Sequence, residues 1–288
     1  INEKTETLIR REYSIYSKLN HPFLPTFYGK VQKETEYFLC IEFIYGKTLE
    51  SIQELSLSDE YKILIIFKIM LLIEYLHQEN IIYRDLKPDN IIINENQDIF
   101  FIDFDRSIFE TEICNNNENR THNFDSIYKA PEINLGSFSY SSDIYSIGQI
   151  IHFIMKYIQN KSIRSKLQQI SYECTKEKEK ERPSISELIN IFLSTFDAEH
   201  QYFYSKWLKK YKSSINQYQS SESERISNFS TDPAITTATN SYASTSTEVE
   251  TKTNCKHSPR DINKVIHYFS HASNQKNSEA QFYLGLIY

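Results

Sequence analysis

The stretch Tyr83-Arg84-Asp85-Leu86-Lys87-Pro88-Asp89-Asn90 decides the reading of this chain, because it sets three groups of different chemistry at fixed offsets. Asp85 is a carboxylate able to accept a proton from a hydroxyl. Lys87 is a compact cation suited to a phosphate. Asn90 offers a neutral oxygen of the kind a hard cation such as magnesium takes. Thirteen residues after Asn90, Ile102-Asp103-Phe104 places a second carboxylate behind a short apolar run. Taken alone, the octapeptide also reads as a polar turn after a helix, so its neighbours have to decide.

Upstream, Ser58-Asp59-Glu60 is an N-cap followed by early acids and opens a predicted helix to about Glu79. Its run Ile63–Leu72 is apolar on nearly every face, which marks a buried spine. Residues 5–19 form another predicted helix, with Leu8, Ile15 and Leu19 on one side. Segments 25–32 and 36–44 alternate as two strands of a hairpin, and Gly46 turns into a short helix from Thr48 to Gln53. Downstream of the octapeptide, Ile91–Asn94 and Ile99–Ile102 are short strands joined by a polar turn. Residues 140–196 read as helices.

Further landmarks arrive in a recognisable order, and together the chain resembles the eukaryotic protein kinases. Tyr83–Asn90 matches the family's catalytic loop, and Ala130-Pro131-Glu132 matches its A-P-E element. Ser142-Asp143-Ile144-Tyr145-Ser146-Ile147-Gly148 is similar to the D-x-[WY]-S-x-G helix, whose Asp braces the catalytic loop. Glu181-Arg182-Pro183-Ser184 is similar to the late R-P-[ST] element, which implies a buried ion pair between Arg182 and Glu132. Glu12, ten residues before Pro22, sits where the family has the helix Glu that pairs with the ATP-binding Lys. The implied fold class is α+β: a protein kinase-like two-lobe fold, with a partial small β lobe and a helical large lobe. Residues 1–200 would be the kinase domain without its first strands, and 201–212 a capping helix. The Ser/Thr/Asn-rich stretch 213–258 reads as a disordered linker. Residues 259–288 include Ala280-Gln281-Phe282-Tyr283-Leu284-Gly285-Leu286-Ile287-Tyr288, which resembles the start of a Sel-like, tetratricopeptide-related α-helical repeat.

The resemblance assigns roles residue by residue. Asp85 would take the acceptor's proton, Lys87 would sit on the γ-phosphate of ATP, and Asn90 and Asp103 would ligate Mg2+. Ile41, Glu42, Phe43 and Ile44 would be the gatekeeper and hinge that meet adenine, with Ile92 as its floor. Tyr16, Phe27, Tyr83 and Phe104 map onto the family's stacked column of side chains. A Lys two residues after the base goes with Ser/Thr specificity in this family. Three positions depart from the pattern: Tyr83 stands for the usual His, Asp105 for Gly, and Asp125 for a Thr that contacts the catalytic loop. Ser126 would substitute for that Thr if the register shifts. Asp at 105 removes the conformational freedom of glycine and adds charge beside the metal site, so restricted switching is expected. Arg84 next to the base suits either a phosphorylated residue, with Thr121 and Ser126 as sites, or backbone carbonyls.

Composition bounds the rest. Forty per cent apolar residues, with 21 Tyr and 18 Phe, suffice for a packed core. A net charge of −6 argues against nucleic acid as a partner beyond ATP itself. No run of 18 apolar residues is present, so no membrane span is expected. Cys40, Cys114, Cys174 and Cys255 lack metal-like spacing and read as free thiols of a cytoplasmic protein. Because the chain starts at Ile1 and stops inside the apparent repeat, it reads as a fragment. The family's glycine-rich loop and nucleotide Lys would precede it, so the 288 residues alone are expected to be inactive or weak. The expected function is Ser/Thr protein kinase, with a protein substrate and a protein partner recruited by the repeat. The alternative is a pseudokinase scaffold that binds partners without catalysis.

Overall fold

The computed structural model describes residues 3–33, 36–115, 126–196, 200–209, 211–213 and 215. The chain divides into two units, one of Ile1–Leu19 with Phe23–Leu208 and one of Asn20–Pro22 with Lys209–Tyr288.

In the first unit, α1 (Glu3–Lys18) precedes an antiparallel hairpin of β1 (Phe27–Lys33) and β2 (Glu36–Ile41). Arg11 of α1 bonds Glu112 at 2.8 Å, which ties this helix to the segment that follows the second carboxylate. The expected strand 36–44 ends at Ile41: Glu42–Ile44 leaves the ladder because the chain must turn to form β3 (Lys47–Thr48). The helix expected from Thr48 is a 3₁₀ turn over Leu49–Glu54, since Lys47 and Thr48 are drawn into pairing with β5 (Ile91–Ile93).

The long helix α2 runs Asp59–Gln78. Ser58 starts it by accepting the Tyr61 N–H, and Asp59 and Glu60 lie at its positive end. Thirteen of its residues are buried, so it is the core of the larger lobe, with α3 (Tyr140–Met155) and α5 (Ile185–Thr195) packed on it. Its ring Phe67 stacks on Phe192 and meets Tyr204 and Trp207 of the helical residues 200–209, which cap this lobe. Two lysines survive inside α2 because each finds acceptors. Lys62 reaches the Tyr157 carbonyl at 2.9 Å, and Lys68 reaches Asp98 and the Gln97 carbonyl, both at 3.0 Å.

Helices α3 and α5 each open on a capping box, Ser139 with Ser142 and Ser184 with Glu187. Gly148 lets α4 (Lys161–Cys174) approach α3: a Cβ there would meet Thr175 Cγ2 at 2.6 Å and Cys174 Cβ at 2.7 Å.

Two small sheets then set the position of both acidic segments. β3, β5 and β6 (Ile99–Phe101) form one, and β4 (Ile81–Ile82) pairs with β7 (Ile108–Phe109) in the other. The octapeptide leaves β4 and returns in β5, while residues 102–107 run from β6 to β7. Both stretches are therefore spanned between the same two sheets.

In the second unit His21 is buried, with Nε2 2.6 Å from the Tyr211 hydroxyl. Burial pushes this imidazole down to about 3 from its usual 6.5. The folded state thus keeps His21 neutral where the unfolded chain would protonate it. Between pH 6.5 and 3 the unfolded state binds more protons, so stability falls as pH falls. The expected loss between pH 7 and pH 5 is about 2 kcal/mol. Urea unfolding at the two pH values should show it, and His21→Gln should remove it; an unchanged slope in the variant would refute the assignment.

Of the sequence expectations, most of the linker and the whole repeat of residues 259–288 lie outside the described residues. So do Thr121 and Asp125.

Candidate active site

The octapeptide is held from below by Asp143, a fully buried residue in the first turn of α3. Its carboxylate accepts the backbone N–H of Tyr83 at 2.9 Å and of Arg84 at 2.8 Å, and His77 Nε2 lies 3.0 Å away. Two such bonds hold Arg84 at φ 69°, a left-handed conformation that a side-chain-bearing residue adopts only under external constraint. Ser107, also buried, adds a bond from its hydroxyl to the Tyr83 carbonyl at 3.1 Å. The Arg84 guanidinium rests on the Phe138 ring at 3.8 Å. Burial first, and then the nearby Arg11, lower Arg84 to about 10.

Above this brace, Asp85 Oδ2 receives Lys87 Nζ at 2.7 Å and Asn90 Nδ2 at 2.9 Å. Asn90 is buried in the 3₁₀ turn Pro88–Asn90, and its Nδ2 also bonds the Asp85 carbonyl at 2.9 Å. With its nitrogen committed in this way, its Oδ1 is the atom left for a metal. Asp103 comes from the other segment, at φ 65°. Oxygens of Asp85, Asp103 and Asp105 lie within 4.8 Å of one another. The two acidic segments therefore face a single point. Three carboxylates and an amide make an all-oxygen donor set, and these residues fit a hard divalent cation such as magnesium.

Glu12 of α1 lies within electrostatic reach of Asp103 and Asp105. Burial, then Asp105 and Asp103, raise its carboxyl to about 7, so this corner has negative charge in excess. Asp105 is itself raised to about 6, by burial and then by Asp103. It does not take the left-handed conformation that the family's glycine permits.

The expected hinge is more mixed. Ile41 and Phe43 are exposed and Ile44 is buried. Glu42 Oε2 accepts the Thr26 N–H at 3.0 Å and its hydroxyl at 2.7 Å, and the Glu42 N–H donates to the Thr26 carbonyl at 2.8 Å, so that N–H is not open to adenine. Ile92 is half-buried opposite Thr48 in the sheet. The aromatic column is continuous: Phe27 to Tyr16 is 5.7 Å, Tyr16 to Phe104 is 5.2 Å and Phe104 to Tyr83 is 5.1 Å.

Glu132 and Arg182 form the expected ion pair, with NH1 to Oε1 at 2.7 Å and NH2 to Oε2 at 2.8 Å. Ser142 adds a third bond to Glu132 at 3.0 Å.

Three contributors escaped sequence reading. Arg106 NH1 lies 3.7 Å from Asp85 Oδ1, and its Nε lies 4.0 Å from Asp105. His77 and Ser107 support the catalytic loop from other elements. Arg106 could have been found from its place beside Asp105. Nothing local marks His77, whose partner lies 66 positions away.

Comparison with known proteins agrees with this geometry. The sequence model described as Protein kinase domain matches residues 1–210. Serine/threonine-protein kinase RHS3 of Arabidopsis thaliana is 36% identical over 101 residues, 34% of this chain and 20% of its own length. Serine/threonine-protein kinase OXI1 of Arabidopsis thaliana is 34% identical over 100 residues, 33% of this chain and 24% of its own. Protein kinase PVPK-1 of Phaseolus vulgaris is 37% identical over 113 residues, 37% of this chain and 18% of its own. The chain thus spans about a fifth of the length of the curated relatives it matches. With the family model covering 210 of 288 residues and the loop, brace and ion pair in their places, the chain belongs to the protein kinase domain family.

Proposed function

We propose that this chain carries the catalytic machinery of a serine/threonine protein kinase, moving the γ-phosphoryl group of ATP to protein hydroxyls. The observation that carries the reading is the convergence of Asp85, Asn90 and Asp103 around one point, with Lys87 bonded to the base. Asp85 orients the acceptor hydroxyl and takes up its proton at a carboxylate oxygen. Lys87 places positive charge on the same side, next to the phosphate being transferred. Asn90 and Asp103 would hold magnesium, which when bound neutralises charge on the transferring group. Glu12 offers a carboxylate to a cation that would reach in over the nucleotide. Ile41, the backbone of Glu42–Ile44 and Ile92 would line the adenine side.

The names of the relatives and Lys87 both support Ser/Thr acceptors. The repeat-like residues 259–288 would recruit a protein partner. Cys40 and Cys174 are free and buried, in keeping with a cytoplasmic location. Among the described residues, no helix is long and apolar enough to cross a membrane.

The test is transfer of labelled γ-phosphate from ATP to casein, to myelin basic protein and to the protein itself, assayed in the protein as the cell makes it. Transfer should require magnesium, stop on addition of EDTA and return when magnesium is restored. Transfer that persists in EDTA would refute the roles of Asn90 and Asp103. Absence of transfer to every acceptor would favour the scaffold reading instead.

A further inference from the structure

Lys68 lies in the apolar run of α2, is 4% exposed and takes no part in the chemistry proposed above. Its Nζ donates to the Gln97 carbonyl and to Asp98 Oδ1, both at 3.0 Å. Three aromatic rings gather around the same atom: Trp207 at 5.3 Å, Tyr61 at 5.6 Å and Phe23 at 6.0 Å. A leucine or methionine would fill this place without the cost of burying a charge. What a cation adds is a hold on two acceptors of the β5–β6 turn and an attraction to the rings around it.

That turn needs a hold. Gln97 sits at φ 62°, in the left-handed region that a residue with a Cβ rarely adopts. Asn94 closes the turn, its Oδ1 accepting the Asp98 N–H at 2.8 Å and its carbonyl the Gln97 N–H at 2.9 Å. The hairpin beyond is three pairs long, from Ile93 with Ile99 to Ile91 with Phe101, or about 10 Å. At its open end the Ile102 N–H donates to the Asn90 carbonyl at 3.0 Å, so Asn90 and Asp103 both adjoin this ladder. A ladder so short passes a disturbance of its turn to its open end. Trp207 belongs to residues 200–209, which cap the lobe, and its ring also meets Phe67 at 6.1 Å. With the cap docked, Trp207 keeps water from the ammonium, and the bonds to Gln97 and Asp98 act in a medium of low dielectric.

We infer that Lys68 is a positioning residue through which the cap of residues 200–209 acts on the candidate site. Trp207 shields the ammonium, the ammonium fixes Gln97 and Asp98, and the fixed turn sets the spacing of Asn90 and Asp103. The functional part of this inference rests on the proposed kinase activity; the coupling of cap to turn does not. Lifting the cap weakens the turn, and the apparent affinity for magnesium–ATP falls by the fraction of time the hairpin is open.

The experiment uses Lys68→Met, which keeps the apolar stem, Trp207→Leu and the double variant in the full chain. Hydrogen exchange followed by mass spectrometry should show residues 91–102 exchanging about tenfold faster in Lys68→Met and about threefold faster in Trp207→Leu, with α4 unchanged. The double variant should match Lys68→Met, because Trp207 acts through the ammonium. Acrylamide quenching of Trp207, the chain's single tryptophan, should rise in Lys68→Met. In phosphate transfer, KM for magnesium–ATP should rise about three- to tenfold in Lys68→Met, with kcat altered less than about twofold. Unchanged exchange at 91–102 would overturn the inference. So would equal acceleration in α4, fully additive losses in the double variant, or a fall in kcat with KM untouched. A wild-type chain that binds no nucleotide and transfers no phosphate refutes the kinase proposal alone, and the exchange and quenching arms then decide the coupling by themselves.

Discussion

Replacing Asp85 by Asn is expected to lower the rate of phosphate transfer by about 10²–10⁴-fold while leaving the fold intact. Asn keeps an oxygen that can accept from Asn90 Nδ2 and Lys87 Nζ, so the loop retains its shape. It has no basicity with which to take the acceptor's proton, and it loses the charge that faces Asp103 and Asp105. The stability cost should be small, because Lys87 and Asp85 are both partly exposed, at 29% and 14% of their side chains, and screened pairs contribute little. Initial rates at saturating ATP, set beside thermal unfolding curves, separate the two effects. Equal rates in wild type and variant would remove Asp85 from the mechanism. A collapse of the unfolding midpoint would make the pair structural instead.

Arg182→Ala should be the most damaging substitution for stability, at about 3–5 kcal/mol. The Arg182 side chain is fully buried and Glu132 nearly so. Besides both Glu132 oxygens, Arg182 bonds the carbonyls of Lys176, Ser141 and Glu177 at 2.8, 3.0 and 3.2 Å. Burial by itself would raise the Glu132 carboxyl. The hydrogen bond and charge of Arg182 outweigh that and hold it below its usual range. Without Arg182, Glu132 is a buried charge lacking its counter-ion. Equilibrium unfolding in urea should show the loss. Combining the change with Glu132→Gln should recover part of it, because the uncompensated charge is then gone. A loss below about 1 kcal/mol for the single variant would mean that water reaches Glu132 and the pair is not a structural anchor.

Some parts of the molecule were open to sequence reading because their causes are local. Ser58 with its trailing acids set the start of α2 within one residue. The polar turn Glu95–Asp98 between two isoleucine-rich runs foretold the β5–β6 hairpin. The offsets inside the octapeptide put Lys87 and Asn90 on Asp85, since groups two and five residues apart in a tight turn cannot avoid one another. The resemblance to kinases also carried Glu132 to Arg182, across 50 positions.

Other parts depended on partners that no local pattern reveals. The buried lysines of α2 contradict its apolar run until Tyr157 and Asp98 arrive from elsewhere in the chain. The extension of β2 to residue 44 failed because the chain turns there to reach β3, whose Lys47 and Thr48 pair with β5. Arg106 gains its place beside Asp85 only because β7 pairs with β4.

The sequence by itself determined which chemical groups this protein carries and how those within the octapeptide meet, because short offsets along a constrained backbone leave few geometries. The tertiary structure decided that Asp103 faces the same point as Asp85 and that Glu12 lies within electrostatic reach of it. That outcome depends on two small sheets, a helix packed against them and a buried Asp143. The reason is physical: side chains far apart along the chain converge only when the elements carrying them are held by contacts whose partners the local sequence does not specify.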